Sequence, residues 1–544
     1  MARSIFFLFA MLGPFLIVAA YVFWAPFLWL FVLYAALVAL GIHDLFFSSH
    51  NVLRNFPIIG HMRFLLEGIG PEIRQYFIET DESGKPFNRI TRSLIYRRAK
   101  NLNDTQPFGT QHDIYETGYS RINHSLSPQK VSTQESRVMI GGPDCLQPYC
   151  ASRLNISAMS FGSLSPNALL SLNAGAKLGG FAHNTGEGGI SPYHLENGGD
   201  LIWQIGTSYF GCRTTEGNFD AEKFRSKATT LTVKAIEIKL SQGAKPAHGG
   251  ILPGAKVSAE IADVRGVEIG KDVISPPSHT RFDTPLGLLD FVQELRTLSE
   301  GKPIGFKLCI GKPIEFLGIC KAMVQSGITP DFITIDGSEG GTGAAPVEYS
   351  NHLGAPLNEG LVFVDSCLKG TGLRKRIKLI ASGKITNGYD MVEKVALGAD
   401  VCNSARGMMF ALGCIQALQC NSNKCPTGIT TQDKRLMRAI QVDDKKHRVA
   451  NFHRHTVDSF LELVGSMGYS DPDHVSTFDI KRRIGDETER TLETLYPSLP
   501  EGAFLKGELP DDYARAWELA SAERFSPDPT MENHSMPTTS KPTL

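Results

Sequence analysis

The hydrophobic pattern divides the chain into unlike parts. From Ile5 to Ile42 the run IFFLFAMLGPFLIVAAYVFWAPFLWLFVLYAALVALGI holds no Asp, Glu, Lys or Arg. As one helix it would extend roughly 57 Å at 1.5 Å per residue, far beyond a ~30 Å hydrocarbon core, so two spans are expected. The break is predicted at Trp24-Ala25-Pro26, because proline stops a helix and Trp24 and Trp29 suit a lipid–water interface. The second span, Phe27 to Ile42, is short. A signal peptide is the rival reading, with Arg3 as its basic end, but the stretch is too long for one signal core and no clear cleavage site follows. Arg3 before the stretch and Arg54, Arg63 and Arg74 after it predict both ends on the cytoplasmic side.

Residues 43–150 are mixed, helical in pieces and then basic and loop-like, as expected of a juxtamembrane collar. From Leu154 to Met409 short apolar runs alternate with helix-like stretches: LNISAMSF, FAHNTGEG, AIEIKLSQ, PIGFKLCI, FITIDGS, KLIASGKI and DVCNSARG. Strands alternating with helices imply parallel βαβ units. A dinucleotide-binding sheet is the alternative, but no run is followed by G-x-G-x-x-G. The expected fold is α/β: a TIM (β/α)8 barrel over 151–435, preceded by a transmembrane hairpin (1–42) and the collar (43–150). A helical extension (436–524) and a polar, proline-rich disordered tail (525–544) follow.

Composition refines this picture. With 544 residues, 42% of them apolar, the chain can bury a large core, and its formal charge of −1 argues against a nucleic-acid partner. Cys145, Cys150, Cys212, Cys309, Cys320, Cys367 and Cys402 are scattered singly, which suits a reducing compartment better than a disulfide framework.

The candidate chemistry gathers where barrel loops are expected. NTGEGG (184–189), SQGAKPAHGGILPGAKV (241–257) and DGSEGGTGAAP (336–346) bring exposed backbone amides to one rim, and successive amides make anion nests. The loops after the last two strands of such a barrel frequently hold phosphate, so Gly383, Lys384 and Arg406 are candidate phosphate ligands. Lys239 and Lys307 sit inside apolar strands, where an ammonium needs a partner: either a barrel-interior ion pair or an anionic ligand. Lys245 is either a solvated loop lysine or a third such group. His183, His248, His279 and Glu187 are candidate acids or bases, and their spacing matches no metal motif.

After the last strand-like run, GCIQALQCNSNKCPTGITTQ places Cys414, Cys420 and Cys425 at C-x5-C-x4-C. Zinc normally needs a second thiolate pair. Three thiolates suit an iron–sulfur cluster, and Cys425-Pro426 is similar to ferredoxin ligand runs, while buried thiols are the plainer reading. Spacing leaves both open.

The segments SAMSFGSLSPNA, NTGEGG, IEIKLSQGAKPAHGGILPGAKV, ISPPSH, DGSEGGTGAAP and GCIQALQCNSNKCPTGITTQ resemble, in this order over residues 150–435, the FMN-binding synthase domain of glutamate synthase. The resemblance implies a TIM barrel with FMN and a 3Fe-4S cluster held by Cys414, Cys420 and Cys425. It implies that 2-oxoglutarate and ammonia give 2-iminoglutarate, reduced to glutamate by hydride from flavin N5, an oxidoreductase reaction at a CH–NH2 group. Ala158, Met159 and Ser160 would then lie against the flavin, Lys307 near its ring, and Gly340, Gly341, Thr342, Gly383, Lys384 and Arg406 around its phosphate end. Lys239, Gln242, Lys245 and Arg265 would receive the dicarboxylate beside Glu187, with Lys239, Glu187 and Lys245 as the catalytic set.

The chain departs from the resemblance in two places. Its start is expected to be a membrane hairpin rather than a glutaminase domain, so ammonia would come free or from a partner. The segment GTSYFGCRTTEGNFDAEKF fits poorly beside the substrate loops, which puts the oxo acid in question. A flavin oxidoreductase for another amino, 2-oxo or 2-hydroxy acid, exchanging electrons with membrane quinone, is a second reading, and a non-catalytic membrane scaffold a third. No dinucleotide fingerprint is visible, so a ferredoxin-like protein or reductase subunit is the expected electron donor.

Overall fold

Helix α1 (Ala2–Phe23) carries Pro14 in its interior, where the missing N–H leaves the Ala10 carbonyl without its helical donor. The Tyr34 hydroxyl of helix α2 (Leu30–Phe46) donates to that carbonyl at 2.6 Å. Gly41 lets the two helices approach: a Cβ there would lie 2.1 Å from the Phe6 ring. The segments Ala2–Phe23 and Ala25–Phe46 are each long and apolar enough to cross a membrane. The break falls at Trp24, followed by a 3-10 turn, Ala25–Trp29. The second helix runs four residues beyond Ile42, because the polar Asp44 is buried and used. It accepts from the Ile58 amide at 2.9 Å and lies 2.8 Å from His61 Nε2. Arg3 donates to the Arg54 carbonyl and the Asn55 side chain, so the two ends of the hairpin meet. Helix α3 (Gly60–Ile73) follows and continues into a π turn, Arg74–Ile78.

This computed structural model describes residues 2–526 and divides into two units, Met1–Ile90 and Thr91–Leu544. From residue 527 on, the tail expected over 525–544 lies outside the described residues.

The second unit holds a closed barrel of eight parallel strands: β1 (Leu154–Ile156), β2 (His183–Asn184), β3 (Leu201–Ile205), β4 (Val233–Lys239), β5 (Ile304–Leu308), β6 (Phe332–Asp336), β7 (Lys378–Ser382) and β8 (Val401–Ser404). Strand β8 closes on β1, with Cys402 opposite Leu154. Seven of the strands lie in the runs named from the sequence, and the eighth, β3, is the short LIWQI that those runs omit. The principal connecting helices are α4 (Pro166–Gly179), α5 (Ala221–Ala228), α6 (Pro285–Leu298), α7 (Pro313–Ser326), α8 (Leu357–Gly370) and α9 (Gly388–Ala396). Ser165 caps α4 and Thr284 caps α6, each ahead of a proline at the first helical position.

An antiparallel hairpin, Arg137–Ile140 with Tyr149–Ser152, plugs the mouth at the strands' N-terminal ends. There Val138, Ile140, Tyr149 and Ala151 form one buried apolar cluster with strand residues including Ala235, Phe332 and Val401. That end of such a barrel serves stability, leaving the C-terminal rim for chemistry. After helix α10 (Arg406–Leu412) and the cysteine loop, helix α11 (Val442–Ser466) packs along α4, stacking His453 on Phe181 at 3.9 Å. The C-terminal extension adds strands as well as helices: Ile480–Arg483 pairs antiparallel with Ser120–Ile122 and with Glu489–Thr491.

Candidate active site

Side chains alternate along a strand, so the barrel interior is stacked in layers two residues apart. In one layer the Glu237 carboxylate accepts from Asn184 at 2.8 Å, Gln204 at 2.7 Å and Thr334 at 2.6 Å, which satisfies a wholly buried charge. One step toward the C-terminal rim come Lys239, Asp336 and, paired in register with Lys239, Lys307. Lys307 lies 3.2 Å from Asp336, which also accepts from the Gly243 amide at 2.7 Å and the Ser382 hydroxyl at 2.6 Å. Lys239 lies 2.9 Å from Glu187, brought from the loop after β2. The structure bears out the ion-pair reading of both lysines: each has a carboxylate partner near the C-terminal ends of the strands.

Glu187, Lys239, Gln242 and His248 line one cleft, faced by Thr207, Pro276 and Pro277. Burial raises the Glu187 carboxyl's affinity for a proton, but Lys239, Arg265 and Lys245 outweigh it and hold its pKa below the ordinary value. Burial pulls the Lys245 ammonium down to about 8, against the attraction of Glu187, and its Nζ donates to the Ala344 carbonyl at 2.9 Å. The Gln242 amide nitrogen is buried without a partner among the described residues, so a ligand acceptor fits it. Arg265 stands behind the rim. It donates to the Phe161 carbonyl at 2.7 Å, lies 3.4 Å from Ser160 Oγ and rests 5.0 Å over the Phe210 ring. Burial lowers its pKa to about 10.

The segment that matched the resemblance poorly forms a wall of this cleft. Thr207 donates to the Pro276 carbonyl at 2.7 Å. Tyr209, a non-glycine residue at φ +50°, is fully buried, and its oxygen accepts from the Arg281 amide and lies 3.1 Å from His279 Nδ1. His279 Nε2 in turn lies 3.0 Å from the Lys239 carbonyl, and burial lowers the imidazole pKa to about 4. His183 is likewise buried, and burial, with His194 next to it, drives its pKa well below the ordinary value. The sequence singled out neither Asp336 nor Tyr209. Asp336 carried one signal, its place as the last residue of an apolar strand.

A second cradle lies on the same rim. Ala158, Met159 and Ser160 are half-buried after β1, while Gly341 and Thr342 are exposed and Gly340 half-buried after β6. Loops after β4 and β6 touch so closely that a Cβ on Gly243 would stand 1.7 Å from the Gly337 carbonyl oxygen. A Cβ on Gly341 would strike the Arg406 side chain at 2.9 Å. Arg406 donates to the Glu339 carbonyl at 2.5 Å, and burial lowers its pKa to about 10. Gly383 and Lys384, the latter at φ +50°, follow β7 directly. An open backbone floor, a half-buried guanidinium and Lys307 fit a planar cofactor with an anionic tail, as FMN is.

All ten cysteines are free thiols. Cys414 is pushed up to about 11 by burial, with the nearby Cys420 and Cys425 adding to the effect, so the three thiols are electrostatic neighbours. The Gln416 amide donates to Cys414 Sγ at 3.5 Å. Cys425 is held below the ordinary thiol value: burial raises it, but hydrogen bonds from Thr427 and Thr430 outweigh that. Among the described residues no group of three His, Cys, Asp or Glu is drawn together tightly enough for a single metal ion. Three neighbouring thiols, one of them favoured as thiolate, with an amide donating to a sulfur, are the donor chemistry that an iron–sulfur cluster uses. The loop is held in a strained form, with Gln416, Leu418 and Asn423 at positive φ. It docks on the segment that follows β1: Gln432 donates to the Gly162 and Leu164 carbonyls. Lys256 donates to the carbonyls of Cys420 and Thr430 at 2.7 Å, and burial lowers its pKa to about 8.

The family of the conserved region in glutamate synthase matches residues 104–470. The chain belongs to the glutamate synthase family. It is 39% identical over 489 residues to the glutamate synthase large subunit-like protein YerD of Bacillus subtilis (strain 168), covering 82% of this chain and 93% of that one. It is 34% identical over 313 residues to the archaeal-type glutamate synthase [NADPH] of Thermotoga neapolitana, covering 57% of this chain and 58% of that one. With the glutamate synthase [NADPH] large chain of B. subtilis it shares 33% over 325 residues, only 20% of that chain's length. Among solved structures, mandelate oxidase with a bound hydroxy acid matches at TM-score 0.41 and 12% identity, over 72% of this chain and 99% of that one. The barrel assignment stands on the strand ladder itself. Membership of the glutamate synthase family makes the chain a glutamate synthase-type oxidoreductase.

Proposed function

We propose that this chain reduces 2-iminoglutarate, formed from 2-oxoglutarate and ammonia, to glutamate, with FMN on the rim and a 3Fe-4S cluster on Cys414, Cys420 and Cys425. The observation that carries this reading is the cleft lined by the Glu187–Lys239 pair and by Gln242, whose amide is unpartnered, with Lys245 behind it near enough to act on the Glu187 charge. Lys239 and Lys245 supply the positive charge that two carboxylates need, and Gln242 a directed donor. Ammonia adds to the oxo carbon and water leaves, a change that requires a base to take a proton from nitrogen and an acid to protonate the departing oxygen. Glu187, held ionised, is placed to take the proton; Lys245, with its pKa near the operating pH, is placed to give one. When bound, FMN supplies the hydride that, with one proton, converts the imine to the amine. A cluster held by Cys414, Cys420 and Cys425 would supply electrons singly from a donor protein, and the bonds from Gln432 to Gly162 and Leu164 join its loop to the segment proposed to hold the flavin. Ala158 to Ser160, Gly340 to Thr342, Gly383, Lys384 and Arg406 would hold the flavin, and Lys307 would neutralise charge near its ring. Residues 1–42 would anchor the chain in the membrane, the catalytic unit on the cytoplasmic side.

The test is anaerobic: protein with reduced flavin is mixed with 2-oxoglutarate and ammonium. Reoxidation matched by one glutamate per flavin is expected. Reoxidation by another 2-oxo acid, but not by this pair, overturns the substrate assignment. The two apolar helices favour a second reading, electron exchange with a membrane quinone, which reoxidation by quinone alone would support.

A further inference from the structure

The unit Met1–Ile90 carries an apolar surface beyond its two long helices. At ~100° per residue, Met62, Leu65, Leu66, Ile69, Ile73 and Phe77 fall within about 120° of one another around helix α3 and its π turn. All six are exposed, Leu65 by 63% and Phe77 by 85%. The opposite side carries Arg63, Glu67 and Arg74, with Arg63 Nε 2.8 Å from Glu67 one turn on. Phe64, off the stripe, is instead packed against the His50 ring at 5.1 Å. A helix of this length is marginal in water unless its apolar face is covered, and a continuous stripe of this kind marks a contact surface. The charged positions outside the stripe, Arg63, Glu67, Glu72 and Arg74, balance in sign, so apolar burial rather than attraction to anionic lipid is the driving term.

The start of this helix is fixed in place. Asp44, in the last turn of α2, holds both the Ile58 amide and His61, at the entry and first turn of α3. Arg3, at the start of α1, holds Arg54 and Asn55 in the connection between α2 and α3. Both free ends of the apolar hairpin and the start of α3 therefore lie at one level, where the apolar length of the hairpin stops.

We propose that α3 lies in the plane of the membrane interface, its Met62–Phe77 stripe sunk into the leaflet that receives both ends of the hairpin. This rests on reading α1 and α2 as membrane spans. The test places a benzophenone amino acid singly at Leu66, Phe77, Glu67 and Leu33 of the full chain, in bilayers of phosphatidylethanolamine and phosphatidylglycerol. Lipid adducts at Leu66 and Phe77 in yields close to those at Leu33, with several-fold lower yield at Glu67, are expected. If Leu33 labels lipid while Leu66 and Phe77 label residues 91–526, a second copy or nothing, the interfacial helix is overturned and the spans stand. Equal lipid labelling at Leu66 and Glu67 overturns it too. Absence of lipid at Leu33 overturns the membrane reading on which it rests.

Discussion

Lys239 Nζ lies 2.9 Å from Glu187 Oε1, the ammonium delivered by the fourth barrel strand and the carboxylate by the loop after the second. Replacing Glu187 with Gln keeps the shape and removes the carboxylate proposed as the base. A fall in glutamate formation of ~10²–10⁴-fold is expected, with flavin content unchanged. A Glu187→Gln protein that retains full turnover removes this carboxylate from the chemistry.

Lys307 and Asp336 make the companion pair in the same layer. Asp336→Asn leaves a buried ammonium uncompensated and should cost about 3–5 kcal/mol of unfolding free energy. Adding Lys307→Met should restore a large part of that loss. Chemical denaturation of both variants checks it; equal destabilisation of the single and double variants would contradict the pairing account.

The Lys245 ammonium, lowered to about 8 by burial, links both stability and activity to pH. A depressed amine disfavours the charged folded state, so its destabilising effect is full below pH 8. That effect shrinks as pH rises and is gone above the ordinary lysine value of ~10.4. The Glu187 carboxyl behaves oppositely: its pKa is lowered, so its stabilising effect is present above pH ~4.3 and is lost as pH falls through the lower folded value. If protonated Lys245 receives a substrate carboxylate, kcat/KM should decline on an alkaline limb near pH 8. Lys245→Arg should move that limb upward if charge alone is needed and abolish turnover at every pH if Lys245 gives the proton, and an active variant with an unmoved limb assigns the limb to another group.

Cys425 is the thiol held below its ordinary pKa, by Thr427 and Thr430 against burial. Cys425→Ser should abolish stoichiometric iron and sulfide while leaving flavin bound on the barrel rim. Iron retained at wild-type content in this variant would mean that the three thiols do not hold the cluster.

What the sequence determined by itself was set by local rules. A charge-free apolar run with a proline at its middle is two helices whatever follows, and strand-like runs alternating with helices call for parallel crossovers, which, with no dinucleotide turn after any run, point to a barrel rather than an open sheet. The lysines and glycines at the ends of those runs were legible for the same reason, since the C-terminal end of a strand is the rim. Strand β3 was not, because five residues after a glycine-rich turn carry too little periodicity. The C-terminal strands escaped notice because their partner, Ser120–Ile122, lies some 360 residues earlier. Only the tertiary structure decided that Lys239 meets Glu187 and Lys307 meets Asp336, that Tyr209 is strained against His279, and that the cysteine loop docks on Gly162 and Leu164. Each depends on the closure of the barrel, which brings together side chains whose separation along the chain carries no trace of their contact.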